Sequence, residues 1–191
     1  MKRIKEIIYK YSSGKRVLWL FILTNLVYAF MLIITIPKTM TFSNGMKLLD
    51  MMPAGYDSEY INRLFEALGE NGRNVYLYNQ IPVDMIYPFL FAISYCLLIA
   101  YFLKKINKLN SLFFYLCFLP VIAGIADYLE NFGIISMLIN YPNLSQISMT
   151  TTNVFSITKS LITTIFAVAL IIILLIPGIK SIKERKDRAN K

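Results

Sequence analysis

Four long apolar runs dominate the pattern of the chain: 17-VLWLFILTNLVYAFMLIITI-36, 82-PVDMIYPFLFAISYCLLIAYFL-103, 111-SLFFYLCFLPVIAGIADYLENFGIISML-138 and 152-TNVFSITKSLITTIFAVALIIILLI-176. A helix needs about 20 apolar residues to cross a bilayer, and each run reaches that length. The pattern predicts an all-α fold, an integral membrane four-helix bundle forming a single membrane domain over 1–191. The first run is too long for the core of a signal peptide and has no small-residue cleavage site after it, so it reads as a retained anchor.

Shorter periodic segments lie between and before these runs. In the outer loop 37–81, Tyr60, Ile61, Leu64, Phe65 and Leu68 recur at helical spacing. Asp57 or Ser58 can cap the start of that helix, and Gly69 or Gly72 can end it. An amphipathic helix over roughly 57–70, lying across the outer mouth of the bundle, is therefore expected. Near the N-terminus, Ile4, Ile7, Ile8 and Tyr11 share a face with lysines between them. This predicts a basic amphipathic segment on the inner leaflet, set off from the first span by Ser12-Ser13-Gly14.

Composition supports the same class. The chain is 57% hydrophobic, with a mean hydropathy of +0.55, far above an ordinary soluble domain. Its formal charge of +9 is not spread as a nucleic-acid-binding face. Fifteen of the 20 Lys and Arg fall in the N-terminal flank, the 104–110 link and the tail 178–191. The positive-inside rule then puts both termini in the cytoplasm of a multi-pass cell-membrane protein, with no nucleic-acid partner. The absence of histidine excludes His-based triads and His metal sites. Cys96 and Cys117 form no CxxC and read as small core residues. No metal or cofactor is expected.

The polar residues inside the runs carry the candidate chemistry. Asp127, Glu130 and Asn131 fall at i, i+3 and i+4 on one helix face, continued by Gly124. Lys159 lies at a matching depth on the fourth run, roughly 10–12 Å below the outer boundary at the helical rise per residue. Ser156 and Thr163 extend its stripe. Pro88 cannot donate to the carbonyl of Asp84, which opens the second helix beside Asp84 and Tyr87. The loop adds Arg73 and Tyr76 above, and Asn25 lies near mid-membrane on the first span. The expected outer-half site is thus Arg73, Tyr76, Asp84, Tyr87, Asp127, Glu130, Asn131 and Lys159. An inner half nearly free of ionisable groups argues for a pocket opening outward or sideways, not for a continuous ion path.

The segments 69-GENGRNVYLYNQIPVDMIYPFLF-91 and 126-ADYLENFGI-134 resemble a family of small four-span bacterial membrane proteins. That family shows Gly-Arg, a Tyr, then Asp and Tyr/Phe-Pro at its second span and D-x-LEN in its third, and it carries no assigned reaction. The layout is also similar to the four-span fold of sterol isomerases and sigma-2-type receptors, which hold acids in an intramembrane pocket. The histidines and first-span acid of that fold are absent here.

Three functions fit these residues. The first is binding of a lipid or small amphiphile in the outer-half pocket, with membrane lipids as partners. The second is acid/base chemistry on a lipid, with Asp127 and Glu130 exchanging protons and Lys159 stabilising negative charge. The third is an assembly partner whose polar cluster only locks the bundle.

Overall fold

A computed structural model describes the backbone of residues 1–189 and the side chains of residues 1–176. The side chains of the predicted tail, 178–191, lie outside that description. Among the described residues the fold is all helical, and four helical stretches are long and apolar enough to cross a membrane. Helix α1 spans Lys2–Tyr11, α2 Gly14–Met40, α3 Ser58–Val75, α4 Tyr87–Lys105, α5 Leu119–Asn140 and α6 Gln146–Ala189.

Helices α4 and α5 form the centre of the bundle, with α2 packed on α4 and α6 packed on α5. Burial follows this order. The apolar stretch containing α3 and α4 is 44% buried and that of α5 39%, against 17% for α2 and 11% for α6. The two outer helices therefore turn most of their Leu, Ile and Phe side chains away from the protein, as lipid-facing helices do.

Proline shapes two of the helices. Each of 31-MLIITIPKTM-40 and 76-YLYNQIPVDM-85 contains a π turn, Met31–Thr35 and Tyr76–Gln80, directly before an Ile-Pro pair. A proline inside a helix removes one donor and crowds the carbonyl four residues back. Widening the preceding turn makes room for the ring. The two π turns lie against each other, and the Thr35 hydroxyl donates to Oε1 of Gln80.

Several boundaries differ from those expected. The loop helix begins as predicted, with the Asp57 side chain accepting from the amide of Tyr60 at 2.7 Å. Ile61, Leu64, Phe65 and Leu68 are all buried. It breaks at Gly69, whose φ of +60° favours glycine, but the chain then resumes its helix instead of entering a loop. Through the second π turn and Ile81–Asp84 it runs on toward α4, so Pro82 lies inside a nearly continuous helix and does not start a new one. The third run opens with a 3₁₀ segment, Leu112–Phe118, before α5 begins. Helix α6 starts at Gln146, six residues before the fourth apolar run.

Of the apolar face predicted for the N-terminal segment, Ile8 is buried against the base of α4, whereas Ile4, Ile7 and Tyr11 stay exposed. Lysines hold α1 in place over rings, with Lys104 3.8 Å from the centre of Tyr9 and Lys5 5.2 Å from that of Phe114.

Candidate functional site

The site is assembled from the helix backbone outward. Pro88 leaves the Asp84 carbonyl without its helical donor, and the gap is filled from α5: Asn131 Nδ2 donates to that carbonyl at 3.1 Å. The Tyr128 hydroxyl donates to the next carbonyl, Met85, at 2.8 Å. Helix α5 can come this close because Gly124 faces the kink, where a Cβ would sit 2.9 Å from the Pro88 carbonyl oxygen. The DYLEN stretch thus uses Tyr128 and Asn131 to repair the backbone beside Pro88.

Asp127 and Glu130 take up the lysine of α6. Lys159 Nζ lies 3.3 Å from Asp127 Oδ1 and forms an ion pair with Glu130 Oε2. The sequence expectation of a shared face and shared depth holds for these three residues. Their roles divide, however. Glu130 is fully buried behind the lysine, whereas Asp127 and Lys159 border a cavity of about 460 Å³. Asp84 also borders it and is buried, with its Oδ2 finding no donor among the described residues. Glu130 Oε1 and Asn131 Oδ1 are likewise unpartnered.

The cavity is a cleft between α2 and α6. Its polar wall carries Asp50, Asp84, Asp127 and Lys159, with Ser160 and Thr163 beside them. Its apolar wall is built from Met31, Leu32, Ile36, Met51, Tyr87 and Phe91. Tyr28, Leu32 and Thr164 line it while remaining exposed, so the mouth opens sideways on the flank of the bundle.

Asp50 was not anticipated. The loop 41–57 drives Leu48 and Leu49 fully into the core and turns Asp50 toward the cleft. There the Tyr76 hydroxyl donates to Oδ1 at 2.7 Å and Gln80 Nε2 donates to Oδ2 at 3.2 Å. Tyr76 is therefore a support for Asp50, buried behind the wall and not itself lining the cleft. The loop is anchored to α6 where the amide of Tyr56 donates to Asn153 Oδ1 at 2.8 Å. The phenol of Tyr56 is buried, and burial, with the Glu130 carboxylate next, holds its pKa well above the usual range. An apolar cluster around one acid, 48-LLDMM-52, was the available signal for this segment. It has no helical or strand period to reveal its placement.

Arg73 does not stand over the acids. Its Nη1 donates to the Phe65 carbonyl at 2.7 Å, in the last turn before the Gly69 break, where helix-end carbonyls need donors. Its guanidinium lies 4.3 Å from the centre of the Tyr141 ring. Asn25 also stays apart, donating to the Phe21 carbonyl at 2.7 Å. The structure thus brings Asp84, Tyr87, Asp127, Glu130, Asn131 and Lys159 together, sets Tyr76 behind them and leaves Arg73 outside. Among the described residues, no group of His, Cys, Asp and Glu is arranged to hold a metal ion.

Comparison of the chain with protein-family models, with curated proteins and with solved structures gives no match.

Proposed function

We propose that this is a multi-pass membrane protein, with both termini cytoplasmic, that binds a lipid or small amphiphile in the cleft between α2 and α6. The observation that carries the reading is the cleft's composition. It is roomy, apolar on one wall and polar on the other, and it opens on the flank that faces lipid. A head group entering sideways meets the acids and Lys159, while its chains rest on Leu32, Tyr28 and the outer faces of α2 and α6. The even number of crossings and the basic flanks support the orientation.

The acid/base reading is less well supported. Glu130 lies behind Lys159 and does not border the cleft, so Asp127 and Glu130 do not converge on one reacting atom as a proton-exchanging pair must. The locking role has its own support in the paired Lys159, Asp127 and Glu130. It leaves the open cleft and the unpartnered Asp84 without a use.

Two measurements test the proposal. The protein, purified in mild detergent, is expected to retain lipid detectable by mass spectrometry. Thr163→Trp, which fills the cleft from its rim, should release that lipid while the protein melts as before. Retention unchanged by Thr163→Trp removes the cleft as the binding site. For orientation, a cysteine at Ser58 should react with an impermeant reagent from outside intact cells, and one at Lys108 should not; the reverse pattern inverts the topology.

A further inference from the structure

Among the described residues, the cluster at the cleft holds four carboxylates, Asp50, Asp84, Asp127 and Glu130, against the single ammonium of Lys159. Three of these acids have donors. Asp50 is held by Tyr76 and Gln80, and Asp127 and Glu130 share Lys159. Asp84 is the exception: it lines the cleft, is only 4% exposed, and its Oδ2 has no donor. Asn131 reaches the Asp84 backbone, not its side chain. A buried acceptor left without a donor is costly, and an excess of buried negative charge adds to that cost. The nearest cation, Lys159, is already divided between two carboxylates.

We infer that the cleft selects an amphiphile whose head carries a primary ammonium, an N–H donor for Asp84, of the kind an aminophospholipid presents. The inference rests on the lipid-binding reading of the same cleft and narrows it to one head-group chemistry. Positive charge balances the acid excess, and an N–H donor meets the Asp84 carboxylate where its side chain lines the cleft. A trimethylated head keeps the charge and offers no N–H, so it meets only the first requirement. An anionic head meets neither, because the polar wall presents three carboxylates around one paired lysine. Ser160 and Thr163 line the same cleft and offer hydroxyl donors to the phosphate of such a lipid.

The test varies N–H count at nearly constant charge. Delipidated full-length protein in detergent is titrated, with binding read by native mass spectrometry, against dioleoyl phosphatidylethanolamine, its N-methyl and N,N-dimethyl derivatives, and phosphatidylcholine. Dioleoyl phosphatidylglycerol serves as the anionic arm. Affinity is expected to fall along the methylation series, by about tenfold from first to last, the scale of one charged hydrogen bond. Asp84→Asn should flatten the series, while Asp57→Asn, at a residue that does not line the cleft, should leave it intact. A flat series with the unaltered protein overturns the ammonium assignment but leaves the cleft as a lipid site. Tighter binding of phosphatidylglycerol overturns it as well, and points to Lys159 as the reader of phosphate. A preference that survives Asp84→Asn removes Asp84 from the assignment. Binding of none of these lipids overturns both the assignment and the cleft reading. If Asp84→Asn does not fold, the methylation series alone still decides.

Discussion

The two ends of the bundle are built on opposite principles. At the end bearing the termini, α4 and α5 are regular, a 3₁₀ segment at Leu112–Phe118 leads into α5, and the interior is packed by rings and aliphatic chains. Phe91, Tyr95 and Phe166 stack with centroids 4.8–5.5 Å apart, above fully buried Ile99, Ala100 and Cys117. At the end bearing the loop 41–57, helices are broken by two π turns, Pro37, Pro82, Pro88 and Gly69, and polar side chains fill the interior. In a membrane, irregular backbone is tolerated only where protein groups re-satisfy it. Asn131, Tyr128 and Arg73 each donate to a main-chain carbonyl next to such a break. The breaks and the polar residues are therefore one feature. The prolines open the backbone, the side chains of α5 close it, and the cleft occupies the space left between α2 and α6.

The largest expected effect comes from removing the cation at the broken end. Lys159→Met strands Glu130 and Asp127 in the interior, and unfolding in denaturing detergent should shift by about 3–5 kcal/mol, the cost of breaking a buried pair. A shift below about 1 kcal/mol would mean that the acids carry no charge needing Lys159. Next, Gly124→Val drives a branched side chain into the Pro88 carbonyl and Ala92. A loss of about 1–3 kcal/mol is expected from overpacking, read by the same unfolding assay. The same substitution at Gly45, where a Cβ meets nothing within 4 Å, should show only the backbone cost of its positive φ.

A sharper test couples the two helices. Asn131→Leu removes the donor to the Asp84 carbonyl and should cost about 1–2 kcal/mol. Pro88→Ala restores an N–H at residue 88, so in the Asn131→Leu background it should recover most of that loss. Strict additivity in this double-mutant cycle would show that Asn131 is not repairing the proline break. A last effect, of backbone origin alone, is at Gly69, whose added Cβ would touch nothing. With φ +60° and ψ −174° it occupies a region that is nearly glycine-only, so Gly69→Ala should cost about 1–3 kcal/mol, measured as a drop in melting temperature.

Much of this asymmetry was legible in the amino-acid pattern. Run length alone placed the four long helices, because a bilayer fixes how much apolar chain a crossing needs. Asp127, Glu130 and Lys159 could be paired because helical spacing and depth are simple arithmetic, and Pro88 pointed to the open carbonyl at Asp84. Asp50 and Gln80 could not be placed that way. Asp50 sits in a loop whose course is set by where Leu48 and Leu49 find space, and Gln80 turns inward only because a π turn rotates the helix before Pro82. Arg73 was misplaced for a related reason: its proximity in sequence to Asp84 says nothing about direction once Gly69 bends the chain. The Tyr141 ring, distant in sequence, provides its resting place.

The position of Lys159 has a consequence for how the protein is made. Asp50, Asp84, Asp127 and Glu130 all precede it in the chain, so synthesis delivers every acid of the cluster before the one cation that neutralises any of them. The loop 41–57 waits on the same helix, since its anchor to Asn153 also belongs to α6. Until that last helix is in place, the four acids of the cluster lack the lysine that pairs with two of them. A chain that ends before residue 150 therefore lacks both the counter-ion of the cluster and the anchor of the loop, and only the final helix supplies the two together.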